Sequence, residues 1–185
     1  MWSPGVVDGF LQTADYAGAM LSTVPGVSDE VVVARLRSRM ERQRRVLMKD
    51  DPPSVWFVID QLSLYRRVGS AEVMVTQCAR LAEVAAMPNV TMQVLPAVAH
   101  PANASELIVT ENAAYVEHLA GGLVYTEEET VSSLMRLFNS IHSESYRASE
   151  SLAVIRKAGE LWTGELPAIP ARKAGRASKS RRTLA

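Results

Sequence analysis

Six arginines (Arg35, Arg37, Arg39, Arg42, Arg44 and Arg45) stand in the thirteen residues "RLRSRMERQRRVL", against one acid, Glu41. Guanidinium groups at such density are the chemistry of nucleic-acid binding, because each offers a planar fork of N–H donors to backbone phosphates. On a helix turning by about 100° per residue, however, Val32, Val33, Leu36, Met40, Gln43 and Leu47 share one face, which predicts a core stripe. Arg35, Arg39 and Arg42 fall on one flank of it, Arg37 and Arg44 on the other, and Arg45 points further out near Glu41. A helix that reads DNA concentrates its basic side chains on one exposed face. The split arrangement predicts instead that aliphatic stems lie along the core edges, with the heads meeting acids elsewhere. Gln43 is an amide inside an apolar stripe; it must satisfy itself on nearby backbone or line a pocket.

Other constellations are weaker. His100, His118 and His142 belong to different elements and no CxxC or HxxxH spacing occurs, so no metal centre is expected. No serine sits in a GxSxG elbow, Cys78 lies within an apolar-periodic segment, and no glycine-rich strand-to-helix turn suits a phosphate loop. No cofactor is expected. Asp60, Glu117 and His118 at strand ends are the remaining catalytic possibility, a hydrolase using Asp60 or Glu117 as base. Adjacent strand residues face opposite sides, which keeps Glu117 and His118 apart.

The elements that must position these groups suit an ordinary globular chain: 185 residues, 48% hydrophobic and 22% charged. The 20 basic and 20 acidic residues cancel, but unevenly. "ARKAGRASKSRRTLA", residues 171–185, holds six basic side chains and no acid, leaving 14 basic against 20 acidic residues before it. The expected organisation is one domain over residues 1–162 and an unpacked basic tail over 163–185. A single cysteine precludes an internal disulfide, and neither a leader-like start nor a membrane-length apolar run is present, so the expected setting is the cytoplasm.

Apolar spacing from Leu11 to Leu21 predicts a first helix, stopped by Pro25-Gly26, and Ser28 is placed to cap a second that runs to Leu47. "VWFVI", Val55–Ile59, reads as a central strand buried on both faces. Ser70 caps a helix to about Met87, and "VTMQVL" from Val90 is a strand with one better-buried face. "ELIVT", "AAYVEHL" and "GLVY" predict an antiparallel meander. Thr126-x-x-Glu129 has the form of a capping box, opening one long helix or two with a break near Tyr146–Ser149. The fold expected is α+β: a small mixed or antiparallel sheet of four to five short strands packed with four to five helices.

The fragments "GFLQTADYA", "RMERQRRVL", "VWFVIDQLSLYRRVGS", "VTMQVLP" and "AYVEHLAGG", in this order, resemble the uncharacterised C-terminal domain that follows an XRE-type helix-turn-helix in bacterial antitoxin-like transcriptional regulators. The resemblance covers roughly Gly5 to Lys157. It implies regulation, not catalysis: the helix-turn-helix binds operator DNA and this domain senses a partner or ligand, commonly a small protein encoded nearby. The matching positions are Leu11, Gln12, Thr13 and Tyr16 of "LLQT..YA", Arg39, Arg42 and Gln43 of "R..RQ", and Glu117 of "YVE". Gln12, Tyr16, Arg39, Arg42, Gln43 and Glu117 are therefore the candidate partner- or ligand-binding residues. Asp8 departs from the family's proline, Phe10 from its leucine, and the stretch between Leu95 and Tyr115 is shorter than in many relatives. About ten residues precede the motif, too few for a helix-turn-helix, so DNA contact by this chain alone is not expected; the expectation is a stand-alone sensor, a truncated relative, or a longer form whose start lies upstream and carries the DNA-binding module. A homodimer through the first helix is a further expectation. The alternative reading is weak nucleic-acid binding through Arg35–Arg45 and the basic tail.

Overall fold

The computed structural model describes residues 1–97, 105–118 (His118 as backbone) and 121–164. Among these residues six strands form one mixed sheet in the order β3-β2-β1-β4-β5-β6. These are β1 (Trp2–Ser3), β2 (Val55–Asp60), β3 (Val90–Leu95), β4 (Leu107–Val109), β5 (Ala114–His118) and β6 (Gly121–Tyr125). β1, β2 and β3 run parallel, while β4, β5 and β6 form the expected antiparallel meander, joined to the rest through β1. The α+β class is as expected, with six strands instead of four to five; the added strand is β1, whose two residues are too few to leave a periodic signal.

Among the described residues the helices are α1 (Ala14–Leu21), α2 (Asp29–Leu47), α3 (Gln61–Tyr65), α4 (Ala71–Ala85), α5 (Glu128–Glu144) and α6 (Ala148–Thr163). Alternation along β2 divides the core in two. Val55, Phe57 and Ile59 join Met92 and Val94 of β3 under α4 and α6, with Leu81, Val84 and Ile155 filling the layer. On the other face Trp2, Val58, Leu95 and Leu107 pack against Phe138 and Ile141 of α5. Trp56 departs from the expectation of a strand buried on both faces. It is 49% exposed and borders a surface groove with Met135, Phe138 and Asn139 of α5, and the His142 ring stacks on its indole at 4.7 Å. The outer edge of β3 is covered by the α5–α6 junction: Ser151 Oγ accepts from Val94 N, and Tyr146 N donates to Val94 O, both at 2.9 Å. The expected helix break is that junction, Ser145–Arg147.

Three further expectations are corrected. The capping box at Thr126/Glu129 does not form, since the helix begins one residue later with Glu127 as N-cap, and the Glu127 carboxylate accepts from Thr126 N. Ser28 is the N-cap of α2 but makes no side-chain cap bond; its hydroxyl engages the Glu30 carboxylate, which also accepts from the Glu30 backbone N–H. Val33 is 55% exposed and not part of a core stripe. The eight residues of α1 span about 12 Å against about 28 Å for the nineteen of α2, so α1 covers only part of its partner. Only Gln43 and Leu47 of α2 are buried. No helix among the described residues is long and apolar enough to cross a membrane. The basic tail lies outside the described residues.

Candidate functional site

Between β1 and α1 the chain from Val6 to Thr13 has neither helix nor strand to satisfy its backbone, and side chains do so instead. Val7 N donates to Tyr16 Oη at 3.2 Å, and Val7 O accepts from Gln12 Nε2 at 2.7 Å. Gln43 Nε2 donates to both Gly9 O, at 2.8 Å, and Gln12 O, at 2.9 Å. From the opposite side Gln77 of α4, fully buried, donates to Leu11 O at 2.9 Å and accepts from Thr13 N at 2.8 Å. Thr13 Oγ1 then caps α1 through Tyr16 N. Asp8 turns the loop, its Oδ1 accepting from Phe10 N at 2.7 Å. "LQT..Y" and "R..RQ" are thus two halves of one support.

What the loop supports is a pair of arginines. A Cβ built on Gly9 would lie 3.4 Å from Arg42 Nη2 and 4.0 Å from Arg39 Nε, so both guanidinium groups converge over that glycine. Arg39 Nη1 donates to Gln12 Oε1 at 2.5 Å, and Arg42 sits over the Phe10 ring, 5.0 Å from its centroid. Among the described residues no carboxylate comes within the 4.0 Å of an ion pair with either. Arg39 is held below the ordinary guanidinium range by burial and by the charge of Arg42.

The facing wall is the meander. Ile108 of β4 pairs with Tyr115 of β5, and Glu117 N donates to Glu106 O at 3.1 Å, so the two glutamates are cross-strand neighbours. Burial first, then the charges of Asp8 and Glu117, push the Glu106 carboxyl up to about 7; Ser3 Oγ and Arg39 oppose this. Tyr115 donates to Glu117, and its ring occupies the space above Gly122 that any Cβ would fill. Asp8, buried behind the arginines, is likewise held above the usual carboxylate range by burial, and its Oδ2 has no partner among the described residues. Between the walls lies a half-open cavity of about 590 Å³, floored by Val6, Val7, Gly9 and Phe10.

A family model described as a domain of unknown function, DUF5753, matches residues 1–157. The chain belongs to the DUF5753 family. That span contains both walls of the cavity in this DUF5753 domain. No curated protein and no solved structure matches the chain.

Of the six residues singled out in the sequence, Gln12, Arg39, Arg42 and Glu117 line the cavity of the DUF5753 domain. Tyr16 and Gln43 do not: both are buried, and Tyr16 Oη and Gln43 Nε2 are spent on the backbone of the loop beneath it. Asp60 is not in the cavity either. Its Oδ2 accepts from Gly5 N at 2.7 Å and its Oδ1 from Leu62 N at 2.9 Å, which makes it the N-cap of α3. Glu106, Tyr115, Asp8 and Gln77 were missed. Gln77 carried the same signal as Gln43, an amide between apolar Met74 and Leu81 of its helix. Glu106 becomes legible only once the register of β4 on β5 is fixed. Arg45 does pair with Glu41, on the exposed side of α2.

Proposed function

We propose that this domain is the sensor of a bacterial antitoxin-like transcriptional regulator, which binds a small ligand in the cavity and relays occupancy to a DNA-binding module or small partner protein, without catalysing a reaction. One observation carries the reading: Arg39 and Arg42 are brought together over Gly9 with no counter-ion at ion-pair distance among the described residues. Like charges held side by side disfavour folding, and a framework of buried glutamines that maintains such a pair supports binding over stability as its purpose. A volume of about 590 Å³ lies within the range of small-molecule sites. The non-catalytic part rests on Cys78, which is buried with its thiol pushed up to about 11, away from nucleophilic activation, and on the structural engagement of Asp60.

The test is a thermal-shift screen of anionic, neutral and cationic metabolites against the wild type and a Met20→Trp variant, in which an indole takes the place of a side chain lining the cavity. At least one compound is expected to raise the melting temperature of the wild type and not of the variant. If every stabilising compound acts equally on both, the cavity is not a ligand site and the reading fails.

A further inference from the structure

Resting on the reading of the cavity as a ligand site, we infer that its ligand is a small organic oxyanion, a phosphate monoester or a carboxylate with an apolar body, whose anionic end is clamped by Arg39 and Arg42 over Gly9 while the Glu106 carboxyl donates a hydrogen bond to it from the facing strand. The clamp follows from geometry. Gly9 carries no side chain, and both guanidinium groups lie directly above it, with their positions fixed from below. Arg39 spends one nitrogen on Gln12 and Arg42 sits over the Phe10 ring, which leaves further N–H donors of both for a planar or tetrahedral anion. The apolar body is assigned to Val6, Phe10, Met20 and Ile108, which line the same space.

The role of Glu106 follows from what faces it. The N-terminal segment presents Asp8, the Met1 amino group and the Ser3 hydroxyl; α2 presents Arg39 and Arg42; β5 presents Glu117 and Tyr115. Burial between the walls, and then the two carboxyl groups of Asp8 and Glu117 close by, favour the neutral acid at Glu106. A neutral acid donates to an incoming oxyanion, whereas a carboxylate repels it. The ligand therefore binds with uptake of a proton by Glu106, and its affinity falls as pH rises through about 7.

Isothermal titration with phenyl phosphate, benzoate, inorganic phosphate and benzyl alcohol tests this on the full chain. Phenyl phosphate and benzoate are expected to bind, benzyl alcohol not to, and inorganic phosphate to bind more weakly than its phenyl ester. Arg42→Met and Arg39→Met should each weaken the aromatic anions about ten- to hundredfold, the worth of a charge-assisted hydrogen bond. Arg42→Lys, which keeps the charge and most of the packing, should lie between. Benzoate is ionised from about pH 5.5 upward, so the fall in its affinity across pH 7 arises in the protein, and Glu106→Gln should flatten it while the Met1 amino group, lowered to about 6 chiefly by burial, titrates alike in both. Binding of benzyl alcohol that is lost in Met20→Trp but unchanged in Arg42→Met would overturn the anion assignment and leave the sensor reading standing. Inorganic phosphate binding as tightly as phenyl phosphate would overturn the apolar subsite. If no probe and no metabolite distinguishes wild type from Met20→Trp, the ligand site itself falls, and this inference with it.

Discussion

Replacing Gln43 by leucine keeps the size of the side chain and removes the two donors that hold Gly9 O and Gln12 O. A buried acceptor left without its hydrogen bond costs about 1–3 kcal/mol. The bond to Gln12 O is buried and that to Gly9 O only partly so, so the first carbonyl bears the full cost while water recovers some of the second. The small apolar gain of leucine in a site 7% exposed offsets little. The expected loss is about 2–3 kcal/mol, which for a domain of this size lowers the melting temperature by roughly 5–10 °C. Urea denaturation followed by circular dichroism measures it, with an unchanged slope showing that the native state stays compact. Gln43→Glu sharpens the test: at neutral pH it aims a carboxylate at two carbonyl oxygens and should be at least as damaging. Protonation restores one donor, so it should recover partly in acid. A loss below about 0.5 kcal/mol for Gln43→Leu would refute the claim that this amide supports the loop.

Glu106→Gln should grow more stable relative to wild type as pH rises from about 4.5 to about 7 and stay constant above. The native state holds the Glu106 proton up to about 7 while the unfolded chain releases it near 4.5, so over that interval the native state binds more protons and wild-type stability falls with pH; denaturation midpoints at a series of pH values give the comparison. Gly122→Ala should displace the Tyr115 ring, since the added methyl would meet its Oη at 2.0 Å. The Tyr115 hydroxyl, raised by its bond to Glu117, should then titrate closer to an ordinary tyrosine; spectrophotometric titration against Tyr115→Phe detects this. An unshifted titration would mean that the ring retains Glu117 despite the substitution.

The elements with strong local signals were legible from residue types. β2 and β3 declared themselves by β-branched runs, α4 by its Ser70 cap, and the break before α6 by the polar turn around Tyr146. Errors fell where tertiary contact overrides local pattern. The Thr126 box was outcompeted one residue later, and Val33 has the right phase for a core that does not extend to it. At the site, the flank holding Arg39 and Arg42 was visible in the helical phase, and so was the anomaly of Gln43. What no helix wheel contains is the facing wall. Glu106 and Glu117 meet through a strand register, and Asp8 and Gln77 matter through backbone groups of a loop whose shape has no sequence period.

β1 contributes two residues to the sheet, yet it sits between β2 and β4, and the parallel and antiparallel halves meet through it. From Ser3 the same strand of backbone continues directly into the loop under the arginines. A tether drawn tight ahead of Trp2 would therefore pull at the seam of the sheet and at the floor of the cavity along one continuous line. Under the sensor role proposed above, a pull on β1 and a ligand that stiffens the loop would act on one and the same segment, Trp2 to Thr13.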